Sequence, residues 1–373
     1  MLGHWTFRPE PLPPRIEPDL RLMSLLSTAD RALGELAGIG RRLRNPHLLI
    51  RPFIRREAVL SSRIEGTITR LDQLFLFEAQ PEEPSHPSDA GEVRNYVRAL
   101  EHGLEYIRGG EPFSLRMLRE IHHLLLDGVR GAEKRPGELR DRAVLIGRSS
   151  EFDEARFIPP CHTTIGPMLD DFVAFLRDER SLPVAIQLAL AHYQFETIHP
   201  FNDGNGRVGR LLITLMLCER QILPQPLLYL SAFFEQHREE YYDHLLNVSR
   251  RAAWNDWFGF FARAIAEQAR DAVIRVQRLQ DLQETLRQRT SRLIRTAAPQ
   301  ILVDELFASP FITMNRAADV MGVAFKSAAR TIITLEEAGI LREITGQQRN
   351  RVYCADEILR LLDEPLTDDP PTP

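Results

Sequence analysis

Residues 199–210 read His199-Pro-Phe-Asn-Asp-Gly-Asn-Gly-Arg-Val-Gly-Arg210. Each polar group in this string suits a different part of a phosphorylated ligand. His199 can take a proton from an attacking hydroxyl, because imidazole titrates near neutral pH. Asp203 can hold a divalent cation, since Mg²⁺ binds through one or two carboxylates and completes its shell with phosphate oxygens and water. Gly204 and Gly206 let the backbone turn sharply and approach a ligand closely. The apolar run from Val208 to Leu217 predicts a buried helix, so the turn sits at a helix N-terminus, where free N–H groups bind anions. Arg207 and Arg210 lie three apart on that helix, share a face and offer forked donors for phosphate. A His-Pro or an Asp-Gly pair alone is ordinary loop chemistry. The whole string reads as a phosphate-handling site with a base beside it.

The string resembles the signature of the Fic family, His-x-Phe-x-(Asp/Glu)-Gly-Asn-Gly-Arg-x-x-Arg, at every defined position. The resemblance implies transfer of a nucleotide, usually AMP from ATP, onto a protein hydroxyl. It implies roles residue by residue: His199 as the base, Asp203 as the Mg²⁺ ligand, Gly204, Asn205 and Gly206 around the anion hole, and Arg207 and Arg210 as phosphate clamps. Phe201 is expected to pack the loop into the core. The Gly-Asn-Gly stretch is broken in the related Doc-type kinases and intact here, which points to nucleotidyl rather than phosphoryl transfer.

A second motif lies upstream. Ser61-Ser-Arg-Ile-Glu-Gly66 resembles the family's inhibitory pattern, (Ser/Thr)-x-x-x-Glu-(Gly/Asn). Ser61 and Glu65 are four apart and share a helical face, and Gly66 ends the helix or loosens its last turn. The resemblance implies that Glu65 pairs with Arg210 and blocks the productive pose of ATP. Further segments fit the same family. Gly137-Glu-Leu-Arg140, Val144-Leu-Ile-Gly147 and Arg156-Phe-Ile-Pro-Pro160 resemble its flap. Val144, Leu145 and Ile146 and then Arg156 to Ile158 are short β-prone runs, which predicts a hairpin closing after Gly147. In the family such a hairpin pairs with an extended target segment. Tyr241 and Tyr242 resemble the nucleoside-side segment; each is read either as an adenosine contact or as core.

Composition bounds the rest. The chain has 373 residues and a net charge of −5, so no global charge signature of nucleic-acid or anionic-membrane binding exists. Three cysteines (Cys161, Cys218 and Cys354) are widely spaced and form neither a metal-ligand nor a disulfide pattern; Cys218 is expected to be a buried small hydrophobe. No apolar run approaches a membrane span, no signal pattern opens the chain, and the expected compartment is the cytoplasm.

The expected fold is mainly α: a Fic helical bundle with a β-hairpin flap, plus a small C-terminal winged-helix (α+β) domain. The expected divisions are an N-terminal helical region carrying the inhibitory motif (1–90), a catalytic domain (91–269), a helical connector (270–296), a winged helix-turn-helix domain (297–362) and a disordered tail (363–373). Residues 1 to about 20 are proline-rich, and 78–90 read as a loop rich in Pro, Glu and Ser. In the C-terminal stretch, 313–322 and 324–339 read as helix, turn and helix, followed by a two-stranded wing. Lys326 and Arg330 fall on the second helix, yet 295–360 holds eight basic and eight acidic residues, so DNA and protein remain equal candidates for its partner.

The function expected from these readings is a self-inhibited protein adenylyltransferase. It would use Mg²⁺ and ATP, act on a Ser, Thr or Tyr hydroxyl of a target protein, and form a homodimer, as is common in the family. Two alternatives stand beside it: removal of AMP at the same site with Glu65 activating water, and a DNA-binding regulator using the winged helix.

Overall fold

The computed structural model describes residues 5–43, 45–80, 89–147, 151–178 and 182–364. Along the chain come α1 (Leu20–Arg42), α2 (Pro46–Ile64), α3 (Leu71–Ala79), α4 (Ala90–Arg108), α5 (Leu115–Leu126), α6 (Ile165–Arg177), α7 (Val184–Ile198), α8 (Asn205–Glu219), α9 (Ser231–Gln236), α10 (Arg238–Arg251), α11 (Trp254–Leu293), α12 (Ala298–Ala308), β1 (Phe311–Thr313), α13 (Met314–Met321), α14 (Phe325–Glu337), β2 (Arg342–Glu343), β3 (Val352–Cys354) and α15 (Asp356–Asp363). The fold is mainly α, as the sequence predicts.

The helices α7 and α8 are the centre of the molecule. Both are apolar around nearly their whole circumference and buried along nearly their whole length, the pattern of helices enclosed by other helices. They pack on each other, with α4 against α8 and with α6 and α11 against α7. Where α4 crosses α8, a Cβ on Gly103 would lie 2.7 Å from Leu215 Cδ1, so the Leu215 side chain packs directly on the Gly103 backbone. The expected buried helix from Val208 to Leu217 is the body of α8. The helix expected from Pro183 is α7, with Pro183 as its N-cap.

The Ser61–Gly66 motif lies at the C-terminal end of α2, and α2 is held on several sides. It packs against α4, α8 and α9 and against α12 and α15 of the C-terminal unit. Next to it, Phe75 of α3 stacks on Phe311 of β1, with ring centroids 6.0 Å apart. One uninterrupted helix of 40 residues, α11, crosses the boundary expected at residue 269. Its buried positions run from Trp257 to Thr290, so it packs along most of its length. The fully buried Arg275 of α11 donates to the Leu361 and Glu364 carbonyls at the end of α15 and pairs with Asp271 at 2.9 Å.

In the C-terminal unit, α13 and α14 meet at Gly322, and β2 and β3 pair antiparallel around the turn that holds Gly346. The structure adds a third strand that the sequence reading omits: β1 pairs antiparallel with β3, giving the order β1-β3-β2. The residues 81–88 of the expected loop and 365–373 of the expected tail lie outside the described residues. Cys218 is half-buried rather than buried, because α8 comes toward the surface at its last turn. Among the described residues, no helix is long and apolar enough to cross a membrane.

Candidate active site

The signature loop joins α7 to α8, and its shape is set by side chains from outside it. At the end of α7, His199 adopts φ 51°, ψ 61°, the left-handed region. For a residue with a Cβ this costs on the order of 1–3 kcal/mol and persists only where the surroundings hold it. Arg140 does that. Its Nε donates to the His199 carbonyl at 2.8 Å, its Nη2 to the carbonyls of Pro160 at 2.5 Å and Ile198 at 3.3 Å, and its backbone N–H to Pro200 at 2.9 Å. Phe201 is fully buried and stacks on the His122 ring, centroids 3.8 Å apart and planes within 3°. The Gly137 N–H donates to His122 Nδ1 at 2.8 Å, so the ring proton is on Nε2, which donates to the Asp203 carbonyl at 2.9 Å. Burial pulls His122 down to about 4, which keeps the ring neutral and this pattern intact. Gly204 takes φ 75° as the N-cap of α8.

The Asn205 side chain builds the loop. Its amide is committed to the loop, accepting from the Phe201 N–H and donating to the Phe201 carbonyl, both at 2.9 Å. What positions 205–207 offer an anion is their backbone N–H groups at the start of α8.

The two arginines share a helix but diverge in partners. Arg207, 3% exposed, places Nη1 3.4 Å from Glu92 and Nη2 3.9 Å from Asp203. Arg210 donates from Nε to Ser61 Oγ at 2.8 Å, and from Nη2 to the Ser61 carbonyl at 2.9 Å and to Glu65 Oε1 at 2.7 Å. Ser61 and Glu65 therefore converge on one guanidinium, and α2 ends there: Glu65 is its C-cap and Gly66 has φ 95°. A Cβ on Gly206 would lie 2.3 Å from Glu65 Oε1, so only glycine admits the carboxylate to the first turn of α8. Burial pushes the Glu65 carboxyl up, but the charge and hydrogen bond of Arg210 outweigh it and hold it below the ordinary range. The pair is asymmetric: the Arg210 side chain is 2% exposed and that of Glu65 33%.

Glu65, Gly206 and Arg210 line a cavity of about 140 Å³ that opens to solvent. His199 lines it. Its Nδ1 lies 3.1 Å from the Glu196 carbonyl, which can only accept, so Nδ1 carries the proton and Nε2 keeps its lone pair. Burial pulls this imidazole down to about 4. The other walls come from Ile146, Phe157, Tyr242, Leu245 and Leu246. Ile146 pairs with Phe157 through two backbone hydrogen bonds of 3.0 and 3.1 Å, which is the described part of the expected flap; residues 148–150 of its turn lie outside the described residues. Val144 and Leu145 precede the pair half-buried, and Gly147 follows it exposed. The two tyrosines separate. Tyr241 is buried with its hydroxyl 2.7 Å from His192 Nε2, a core position at the cavity floor. Tyr242 is half-buried beside Arg156 and Arg238.

Asp203 keeps a 43% exposed side chain, with Oδ1 accepting from the Gly204 N–H at 2.6 Å. No group of three or more His, Cys, Asp or Glu among the described residues can hold a metal by itself. One half-exposed carboxylate beside a phosphate site still fits Mg²⁺, which draws most of its shell from phosphate and water.

Two carboxylates that the sequence reading did not single out, Glu57 buried and Glu196 half-buried, lie close by. Glu57 of α2 accepts from Ser231 Oγ at 2.5 Å and Tyr96 OH at 3.2 Å, and burial pushes it up to about 7. Glu196 lines the cavity, and burial pushes it up to about 8. Because native Glu57 holds its proton between about 4.5 and 7 while an unfolded chain releases it, Glu57 makes stability fall as pH rises through that window. Glu57→Gln removes this titration and keeps an oxygen acceptor. We expect its stability relative to the parent to rise by about 1–3 kcal/mol between pH 4.5 and pH 8, read from urea midpoints. A difference that does not change with pH removes the assignment.

The comparisons with known proteins follow this geometry. The family described as Fic/DOC family N-terminal matches residues 23–105, and that described as Fic/DOC family matches 112–217. The protein adenylyltransferase Fic of Culex quinquefasciatus is 33% identical over 159 residues, 40% of this chain and 28% of that protein. A probable protein adenylyltransferase of Aquifex aeolicus is 41% identical over 69 residues, 18% of this chain and 22% of that protein. The chain thus spans less than a third of the length of these curated relatives. Among solved structures, a Fic family protein from Desulfovibrio desulfuricans G20 superposes with a TM-score of 0.58 at 19% identity, covering 92% of this chain and 98% of its own. Fic-1 of C. elegans gives 0.53 at 21% identity, covering 70% and 74%. With the two matched stretches together taking in just over half of the chain, including α2 and the α7–α8 loop, the chain belongs to the Fic/DOC family.

Proposed function

We propose that this protein is a self-inhibited protein adenylyltransferase. The observation that carries the proposal is the Glu65–Arg210 contact at 2.7 Å, made inside the cavity at the first turn of α8. ATP is the donor. Its base and ribose suit the apolar walls at Ile146, Phe157, Tyr242 and Leu245, and its phosphates suit the N–H groups of α8 together with Arg207 and Arg210. The target protein presents a Ser, Thr or Tyr hydroxyl in an extended segment along Val144–Gly147 of the flap. That hydroxyl oxygen forms a bond to the α-phosphorus, its proton passes to His199 Nε2, and the bond between the α-phosphorus and the bridging oxygen breaks to release pyrophosphate. Backbone N–H groups and Arg207 meet the charge that develops. Asp203 would hold Mg²⁺, which neutralises phosphate charge when bound.

With Glu65 on Arg210, a carboxylate occupies the position and the partner that a terminal phosphate needs, so ATP is kept from its productive pose. The test separates nucleotidyl from phosphoryl transfer. Glu65→Gly protein, Mg²⁺ and a cell lysate are incubated with ATP labelled on either the α- or the γ-phosphate. Protein bands labelled only from the α-position are expected; labelling from the γ-position instead would make the protein a kinase.

A further inference from the structure

Beside the signature loop, next to Asp203, lies an arginine that the signature does not contain, Arg130. Glu92, in the first turn of α4, is a carboxylate with a side chain only 4% exposed. It accepts from two guanidinium groups. One is Arg207, buried, at 3.4 Å; the other is Arg130, from Nε at 3.1 Å and Nη2 at 3.2 Å. Arg130 lies between α5 and the flap and has a 62% exposed side chain. Its neighbour Gly131 abuts the signature loop: a Cβ there would lie 3.2 Å from Asp203 Oδ2. Arg130, Glu92, Arg207 and Asp203 thus form a connected series of charges that starts in solvent and ends beside the first turn of α8.

An exposed arginine gripping a surface carboxylate contributes little and moves freely. Arg130 differs because its anchor is buried and shared. Arg207 is enclosed between Glu92 and Asp203, while Arg130 grips Glu92 with Nε and Nη2 and carries further N–H donors on an exposed side chain. Fixing a forked donor in advance of the ligand reduces the entropy lost on binding. Pyrophosphate leaving a buried phosphate site has to cross to solvent, and Arg130 stands at the solvent end of this series.

Resting on the nucleotide reading above, we propose that Arg130 is a further phosphate-binding residue, held by Glu92, that contacts the β- and γ-phosphates of the nucleotide and the pyrophosphate they become. AMP, which lacks both, falls short of it. The experiment is calorimetric binding to the full chain carrying Glu65→Gly and His199→Ala, so that nucleotide binds without turnover, with and without Arg130→Ala. The ligands are Mg-ATP, Mg-pyrophosphate and AMP. Loss of Arg130 is expected to weaken Mg-ATP and Mg-pyrophosphate about tenfold, the range of one or two charge-assisted hydrogen bonds, and to leave AMP within about twofold. Arg130→Lys, which keeps the charge and loses the fork, is expected to fall between. Unchanged ATP and pyrophosphate affinity overturns the proposal, and so does an equal loss for AMP, which would mean that Arg130 only supports Arg207. If none of the three ligands binds the parent, the nucleotide reading fails and this assignment fails with it.

Discussion

Glu65→Gly is expected to raise protein labelling from α-labelled ATP by about ten- to a hundredfold over the unaltered chain, the span equivalent to one charge-assisted hydrogen bond of about 1.5–3 kcal/mol. The physical reason is local. Glu65 is the C-cap of α2, not an interior residue, and a glycine is tolerated there. Its removal leaves Arg210 with two donations to Ser61 and frees the direction in which Nη2 now meets the carboxylate. It also opens the first turn of α8 above Gly206. Glu65→Gln keeps the hydrogen bond without the charge and is expected to fall between the two. Because Arg210 holds the Glu65 carboxyl below its ordinary range, the unaltered chain stays inhibited through mildly acid pH. Rates measured at matched Mg-ATP settle the point, and equal labelling by all three proteins would remove Glu65 from the inhibition.

His199→Ala in the Glu65→Gly background is expected to lower the transfer rate by about 10²–10⁴, the usual range for removing a general base. The pH profile is the sharper test. Burial holds the ring near 4, so His199 is a free base throughout the neutral range. The kcat/KM of the Glu65→Gly protein is therefore expected to be flat in the His199 titration from about pH 5.5 to 8, and to fall on the acid side as the ring protonates near 4. An acid limb centred near the ordinary imidazole value would mean that the ring is solvated during turnover. Unchanged labelling by His199→Ala would exclude it as the base.

Much of this site was legible in the sequence because its groups are contiguous. Twelve residues from His199 to Arg210 set the loop, the helix start and both cations. The contact with Arg210 was legible as a pattern, since Ser61 and Glu65 are one helical turn apart and both reach Arg210. What escaped was the support. His122, Arg140, Glu57, Glu92, Arg130 and Glu196 come mostly from other segments and have no local signature, since each reads as an ordinary polar residue of a helix or loop. Arg140 was visible only as part of the flap-like motif, and nothing in its neighbours announces that it clasps the His199 carbonyl. Asn205 shows the converse: the motif marks the position, but the side chain folds the loop rather than facing the ligand. The three-residue strand β1 was missed because so short a run shows no alternation, and its place is fixed by β3 and by Phe75 instead.

The enclosure of α2 limits what any activating signal has to accomplish. Seven large apolar side chains of α2 (Leu48, Leu49, Ile50, Phe53, Ile54, Val59 and Ile64) are buried. Drawing the helix out would expose them at about 1.5–3 kcal/mol each, roughly 10–20 kcal/mol in all, as much as the entire stability of an ordinary domain. The plug is consequently not a removable piece of the protein. If Glu65 inhibits as proposed, its release needs only rotation of one partly exposed side chain or loosening of the turn at Gly66, motions that run from picoseconds to microseconds. On that reading an activating signal has only to tilt a fast equilibrium by a few kcal/mol, with no refolding of any helix.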